Sequence, residues 1–159
     1  MSNRSVYVSL SAAFSALYFV LVYIFQPISF AIVQVRVADA LIPLSIIFGK
    51  PCIIGVSIGA FLSNFYGGFG PIDIVGGTIA NLIASYLSYR FRRNKIIATF
   101  SASITVSLIV GSYLSFLLME PIYVSIPSIF VGSFISINIL GYLLVDILER
   151  SDIASRLEI

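Results

Sequence analysis

The scarcity of charge in this chain, and its position along the chain, most constrains the fold that the chain can adopt. Of 159 residues, nine are Lys or Arg and seven are Asp or Glu. Charged residues therefore make up 10% of the chain, against about 25% in an ordinary soluble domain. Most of them lie in short gaps between long apolar runs. Because about 20 apolar residues span a bilayer as a helix, the pattern predicts an integral membrane protein.

The spacing of the apolar runs predicts an all-α integral membrane protein with a bundle of six transmembrane helices. The helices are expected at about 5–25, 36–48, 51–66, 72–89, 96–118 and 126–148. The second and third are short, so five spans would result if these two formed one broken hairpin around Gly49-Lys50-Pro51. The longest polar stretch is the tail 149–159, so residues 1–159 are expected to form a single transmembrane domain.

The distribution of basic residues predicts an orientation in the membrane. With the N-terminus in the cytoplasm, eight of the nine basic residues fall on the cytoplasmic side, and Arg36 is the exception. This agrees with the positive-inside rule. We therefore expect a multi-pass protein of the cell membrane with cytoplasmic N- and C-termini. The basic run from Arg90 to Lys95 could also bind lipid or nucleic acid, but four charges in a short loop favour the topogenic interpretation, and no nucleic-acid partner is expected.

The residue inventory argues against several kinds of chemistry. The chain has no histidine, which removes most zinc sites and histidine-dependent catalysis. Gly49-Lys50 is followed by Pro51, and Leu44 stands where a phosphate-binding loop would begin with glycine. We expect no metal, no cofactor and no enzymatic activity, although a Ser/Lys or Asp/Asp arrangement is not strictly excluded. Transport driven by ATP would need another subunit to hydrolyse it.

Three charged residues lie at or inside the apolar segments, namely Arg36, Asp39 and Asp73. A charged side chain at the centre of a bilayer costs at least about 2.5 kcal/mol, so such residues usually have a partner or a function. Arg36 and Asp39 are three residues apart and share one face of a helix, where they can neutralise each other. Alternatively, both face a polar cavity and bind a ligand with matching donors and acceptors.

A second polar group surrounds the glycine-rich link between the third and fourth predicted helices. Pro71 and Asp73 suit the first turn of a helix, which would explain both by capping alone. The alternative is that Asn64, Asp73 and the glycines between them close around a planar ligand. Asn81 and Asn138 are further polar candidates, and interhelical hydrogen bonding is the ordinary explanation for Asn138.

Small residues in the first helix suggest close helix packing. Ala12-x-x-x-Ala16 places two methyl groups on one face, which lets another helix approach closely. This face could pack within the same bundle or could dock a separate membrane subunit.

Two motifs together resemble those of a known family. They are Gln34-x-Arg36-x-x-Asp39-Ala40-Leu41, and Asn64-x-x-Gly67-Gly68-x-Gly70-x-x-Asp73 followed by Gly77-Thr78. The chain resembles the queuosine-precursor transporter (QueT) family, whose members look like substrate-binding S-components of energy-coupling factor (ECF) transporters. The resemblance covers roughly residues 8–90 and is weaker in the last two helices.

The resemblance implies a function and partners. S-components have six helices and bind a vitamin-like substrate from outside. They dock through small residues of the first helix, here Ala12 and Ala16, to a transmembrane T-component that two cytoplasmic ATPases drive. The substrate would be a 7-deazaguanine base, a precursor of queuosine or archaeosine. The implied substrate-binding residues are Gln34, Arg36, Asp39, Asn64, Tyr66, Asp73 and Asn138.

The resemblance also implies roles for these residues. Asp39 or Asp73 would accept hydrogen bonds from the donor edge of the base. Arg36, Gln34 or Asn64 would bind its acceptors, and an aromatic ring, Tyr66 or Phe69, would stack on it.

The chain departs from the family pattern in two places. The family usually has Glu where this chain has Asp39, and many relatives are expected to have a carboxylate in the sixth helix, where this chain reads Gly132-Ser133. Fewer carboxylates favour the neutral cyano base over the cationic aminomethyl base. The alternatives to an S-component for this base are a stand-alone facilitator, an S-component for another vitamin-like molecule, and a membrane scaffold without transport function.

Overall fold

A computed structural model describes residues 3–29 and 35–151, and within these two ranges the chain forms helices and no strands. The long helices are α1 (Asn3–Ile24), α2 (Val37–Phe48), α3 (Lys50–Gly67), α4 (Pro71–Arg90), α5 (Lys95–Leu118) and α6 (Ile122–Arg150). A single helical turn, Gln26–Ser29, follows α1. These ends lie within four residues of the predicted ones, and the all-α prediction is confirmed.

Three of these helices have the length and composition of membrane spans. They are α1, α5 and α6, whose most apolar windows have mean hydropathies of 1.9, 1.7 and 2.0. α2 is apolar but shorter. The structure therefore supports a membrane setting. It provides three candidate spans in the described chain, against the six that were predicted.

α2 consists of two kinds of helix. Its first part, Val37–Leu44, is a 3₁₀-helix and its last turn, Ser45–Phe48, is α-helical. Arg36 was predicted to begin this helix and does not, since its backbone is extended (φ −81°, ψ 94°) and its carbonyl accepts the Asp39 N–H at 2.9 Å. The helix ends as predicted at Gly49, whose φ of +62° is in the left-handed region that glycine adopts without a Cβ penalty.

α6 is also irregular. It is α-helical at Ile122–Ser133, π-helical at Phe134–Gly141 and α-helical again at Tyr142–Arg150. The π segment packs on the 3₁₀ part of α2. A Cβ on Gly141 would lie 2.8 Å from Cγ of Pro43 and 3.0 Å from the Ala40 carbonyl oxygen. Two helices with non-α hydrogen bonding are therefore in direct contact, and π segments often mark functional sites.

Glycines bring α1 and α3 together. A Cβ on Gly55 would lie 2.5 Å from the Ser11 carbonyl oxygen, and one on Gly59 would lie 2.9 Å from that of Ser15. The α3 glycines therefore serve packing within the bundle. On α1, in contrast, Ala12 and Ala16 are exposed.

An ion-pair cluster joins the start of α5 to the end of α6. Nζ of Lys95 lies 3.0 Å from Oδ1 of Asp146 and 2.8 Å from Oε2 of Glu149. Nε of Arg150 lies 2.9 Å from Oδ2 of Asp146. These partly exposed pairs each contribute little to stability, but they bind Lys95 to α6.

Candidate functional site

The interior of the bundle contains an unusual number of buried polar groups. Arg36, Asp39, Asn64, Asp73 and Asn81 are all at most 6% exposed. They come from α3, α4 and the start of α2. Charged and amide groups at this depth require partners, because an unsatisfied buried polar group costs about 1–3 kcal/mol.

Asp39 belongs to a hydrogen-bonded chain that joins three helices. The hydroxyl of Tyr18 in α1 donates to Oδ1 of Asp39 at 2.5 Å. The same hydroxyl accepts from Nδ2 of Asn81 in α4 at 3.0 Å. Tyr18 is completely buried. One oxygen of the Asp39 carboxylate is therefore oriented by a tyrosine whose own position is set by an amide.

Asp73 belongs to a second cluster of the same kind. The hydroxyl of Tyr113 in α5 donates to Oδ1 of Asp73 at 2.8 Å. Nδ2 of Asn64 donates to the Asp73 backbone carbonyl at 3.1 Å. The Asn64 amide lies over Gly77, where a Cβ would be only 2.0 Å from Nδ2. Asp73 lies in the first turn of α4, where its charge complements the positive helix end, and it also accepts the hydrogen bond of Tyr113.

The two clusters share one face of α4. Asp73, Gly77 and Asn81 follow one another at four-residue intervals, which places them on the same side of the helix. Eight residues of α-helix extend about 12 Å, so the clusters are two turns apart. The charge of Arg36 interacts with both Asp39 and Asp73. The three charged residues that the sequence singled out therefore belong to one electrostatic unit.

Several acceptor atoms of this unit have no hydrogen-bond donor in the two ranges that the structure covers. They are Oδ1 of Asn64, Oδ2 of Asp73, Oδ1 of Asn81 and, on the π segment, Oδ1 of Asn138. The buried Ser136 hydroxyl on the π segment has no partner there either. Carboxylate and amide oxygens that lack a donor can accept hydrogen bonds from a ligand that carries several N–H groups.

A small cavity borders the first cluster. It is lined by Arg36, Asp39, Asn81, Val106, Val110, Ile129 and Ser133. Its volume of about 10 Å³ is close to the minimum that holds one water molecule. A heterocyclic base cannot enter this space unless helices move apart. The cavity joins polar groups of α2 and α4 to apolar groups of α5 and α6, as expected for a site with a few oriented polar contacts.

The structure brings together four of the predicted substrate-binding residues: Arg36, Asp39, Asn64 and Asp73. Asn138 is half-buried on the π segment. Tyr66 is 48% exposed and packs against the rings of Phe19 and Tyr23, with centroids 6.1 and 5.4 Å apart. The role of Tyr66 as the stacking residue stays a prediction.

The remaining predicted residue, Gln34, lies outside the described residues.

Sequence reasoning missed the two tyrosines that orient the carboxylates. Tyr18 and Tyr113 are two of nine tyrosines, and most tyrosines in membrane helices serve packing or lie at the interface. A weak signal exists in their position. Both lie at least five residues inside an apolar helix, where a hydroxyl requires a hydrogen-bond partner.

Comparison with known proteins gives one match. A family model described as "QueT transporter" matches residues 8–150. No curated protein and no solved structure matches the chain. The family match covers α5 and α6 as well as the region before them, so it extends past the part of the chain in which the motifs were recognised.

Proposed function

Because the chain belongs to the QueT transporter family, we propose that it is the substrate-binding membrane subunit for uptake of a queuosine or archaeosine precursor, a 7-deazaguanine base. Partner ATPases drive this uptake. All six helices cross the membrane, with both termini in the cytoplasm, as the distribution of basic residues favours.

One observation carries the proposal: two buried carboxylates and an arginine lie in neighbouring polar clusters beside α4, where further acceptor atoms lack donors among the described residues. A 7-deazaguanine base presents a row of N–H donors beside a carbonyl acceptor. Carboxylate and amide oxygens match the donors, and a guanidinium matches the carbonyl, as they do when proteins read nucleic-acid bases. Asp39 borders the cavity, and Asp73 has an oxygen without a donor in the described structure. Asp39 or Asp73 is therefore assigned to the donor edge of the base.

The size of the cavity adds a requirement to this proposal. With room for about one water molecule, the site must open before a base enters. The 3₁₀ part of α2 and the π part of α6 line or adjoin the site and pack on each other. Hydrogen-bond geometry is poorer in 3₁₀-helices than in α-helices, so α2 is the element expected to move most easily.

The proposed docking site for the ECF T-component is the exposed groove between α1 and α3. Its volume is about 510 Å³ and it is almost entirely apolar. Ala12 and Ala16 line it together with Ile54 and Ile58. Small residues let a helix of another subunit approach the α1 backbone closely. Two ATPase subunits then act through the T-component, since no phosphate-binding loop occurs in this chain.

Binding of the base itself is the first test of the proposal. The detergent-purified protein is expected to bind the cyano or the aminomethyl 7-deazaguanine saturably, measured by calorimetry, and to bind neither guanine nor riboflavin with comparable affinity. The low number of carboxylates leads us to expect preference for the neutral cyano base. Preference for the aminomethyl base would contradict the expected preference for the cyano base but not the proposed substrate class. Failure of a folded sample to bind either base would contradict the proposed substrate.

Docking is tested separately by enlarging the small residues of the groove. Ala12→Leu combined with Ala16→Leu is expected to abolish co-purification with a T-component and its ATPases, because two isobutyl groups keep the partner helix away. Base binding should persist in this variant. Ala13→Leu, on an exposed position of α1 outside the groove, is the matched control. If the wild-type protein brings down no T-component, it functions as a facilitator and the assignment of partners is wrong.

A further inference from the structure

The turn between α4 and α5 forms a basic cleft that the proposed transport function does not use. The cleft measures about 550 Å³ and is lined by Tyr89, Arg90, Phe91, Arg92, Arg93 and Ile97. The three arginines are exposed. The N-terminal end of α5, a helix with the composition of a membrane span, lies here, so the cleft is at the membrane surface.

Among the described residues, no acidic side chain pairs with the arginines of this cleft. The sequence contains no Asp or Glu from residue 74 to residue 119. The nearby acidic residues Asp146 and Glu149 bind Lys95 instead. No ion pair of Arg90, Arg92 or Arg93 occurs in the described part of the chain. Three guanidinium groups are thus available to an external anion.

One of the guanidinium groups is held in place. That of Arg92 lies 4.7 Å from the centroid of the Tyr89 ring, a cation–π contact. The positive-inside rule depends only on how many basic residues a loop carries. Neither a cleft nor a cation–π contact is needed to satisfy it. The geometry therefore calls for an additional explanation.

Apolar side chains adjoin the same cleft. Phe91 and Ile97, which line the cleft, are 41% and 50% exposed, and Ile96, next to Ile97 in the first turn of α5, is 67% exposed. They point to a ligand that has an acyl chain beside its anionic group. Arginine binds phosphate oxygens through two parallel hydrogen bonds. A soluble phosphate would use the guanidinium groups alone, whereas a phospholipid uses both features.

We propose that this cleft binds the headgroup of an anionic phospholipid, with the phosphate on Arg92 and its arginine neighbours and the acyl chains along the start of α5. Such a site would fix the height and tilt of the α4–α5 hairpin in the bilayer. It is independent of the substrate, so its test does not depend on the proposed function.

The test is native mass spectrometry of the whole protein, released from nanodiscs that contain equal amounts of phosphatidylglycerol and phosphatidylcholine. The wild-type protein is expected to retain phosphatidylglycerol preferentially. Arg92→Gln should lower that retention about fivefold. Arg92→Lys keeps the topogenic charge but loses the bidentate geometry and should lower retention two- to threefold. Lys50→Gln, which removes an exposed charge outside the cleft, is the control.

The outcomes separate a lipid site from simpler explanations. Equal retention of the two lipids would overturn the proposal. Equal losses in Arg92→Gln and Lys50→Gln would also overturn it, because net charge alone would then be responsible. Displacement of phosphatidylglycerol by millimolar inorganic phosphate would show an anion site without lipid specificity. If the Arg92→Gln protein fails to insert into the membrane, the Arg92→Lys variant provides the test. Retention of phosphatidylglycerol at the wild-type level in that variant would contradict the proposed role of Arg92.

Discussion

Asp39→Asn is expected to lower the affinity of the protein for a 7-deazaguanine base about a hundredfold. Asparagine has nearly the same shape as aspartate and still accepts the hydrogen bond of Tyr18. It lacks the negative charge that, in the proposed site, attracts both Arg36 and the N–H groups of the base. The loss should therefore fall on binding. The measurement is calorimetric titration of the detergent-purified variant, with its thermal unfolding recorded alongside.

The matched control for this experiment is Asp146→Asn. It makes the same chemical change in a partly exposed ion pair of α6. We expect the control to bind the base with the affinity of the wild-type protein. If Asp39→Asn stays folded and binds the base normally, Asp39 only packs helices. If it unfolds while Asp39→Glu remains folded and binds, the carboxylate is needed both for the fold and for the ligand.

The helices of this protein could be predicted from the sequence because their ends depend on local chemistry. Gly49 and Pro71 mark the end of α2 and the start of α4 through backbone preferences that no tertiary contact has to supply. The 3₁₀ part of α2 and the π part of α6 were not predicted. The two segments pack on each other at Gly141 and Pro43, a tertiary contact that the sequence pattern does not reveal.

The charged members of the site could also be predicted, since burial of charge in an apolar segment is itself informative. Arg36, Asp39 and Asp73 are buried in one electrostatic unit. The tyrosines could not be assigned, because their roles depend on which helix faces which carboxylate. The surroundings of Tyr66 could not be predicted either. Its ring packs near Phe19 and Tyr23, which come from another helix.

The arrangement of the two carboxylates explains how one ligand could affect several helices. Each uses Oδ1 to accept from a tyrosine of another helix, α1 for Asp39 and α5 for Asp73. A base that donates to both carboxylates would then connect α1, α2, α4 and α5 through four hydrogen bonds. Since the cavity has room for about one water molecule, binding must replace part of the helix packing with contacts to the ligand.

Gly77→Ala is expected to lower base affinity about thirtyfold by displacing Asn64. The added Cβ would lie 2.0 Å from Nδ2 and 3.2 Å from Cγ of Asn64, so the amide must leave its place. Its 3.1 Å hydrogen bond to the Asp73 carbonyl is then lost. Alanine favours the helix by up to about 1 kcal/mol over glycine, whereas overpacking costs about 1–3 kcal/mol. We therefore expect a modest net loss of stability in thermal unfolding, together with the loss of binding.

Gly55→Ala separates these two effects, because it makes the same substitution at another crowded contact, between α1 and α3. Its Cβ would meet the Ser11 carbonyl oxygen at 2.5 Å, so stability should fall while the base still binds. Adding Asn64→Ala to Gly77→Ala removes the clash and should restore part of the stability, because the hydrogen bond to the Asp73 carbonyl is still missing. If Asn64 contacts the base, affinity stays low in this double variant. Recovery of affinity would mean that Asn64 only packs against α4, and the ligand contacts would then come from Arg36, Asp39 and Asp73.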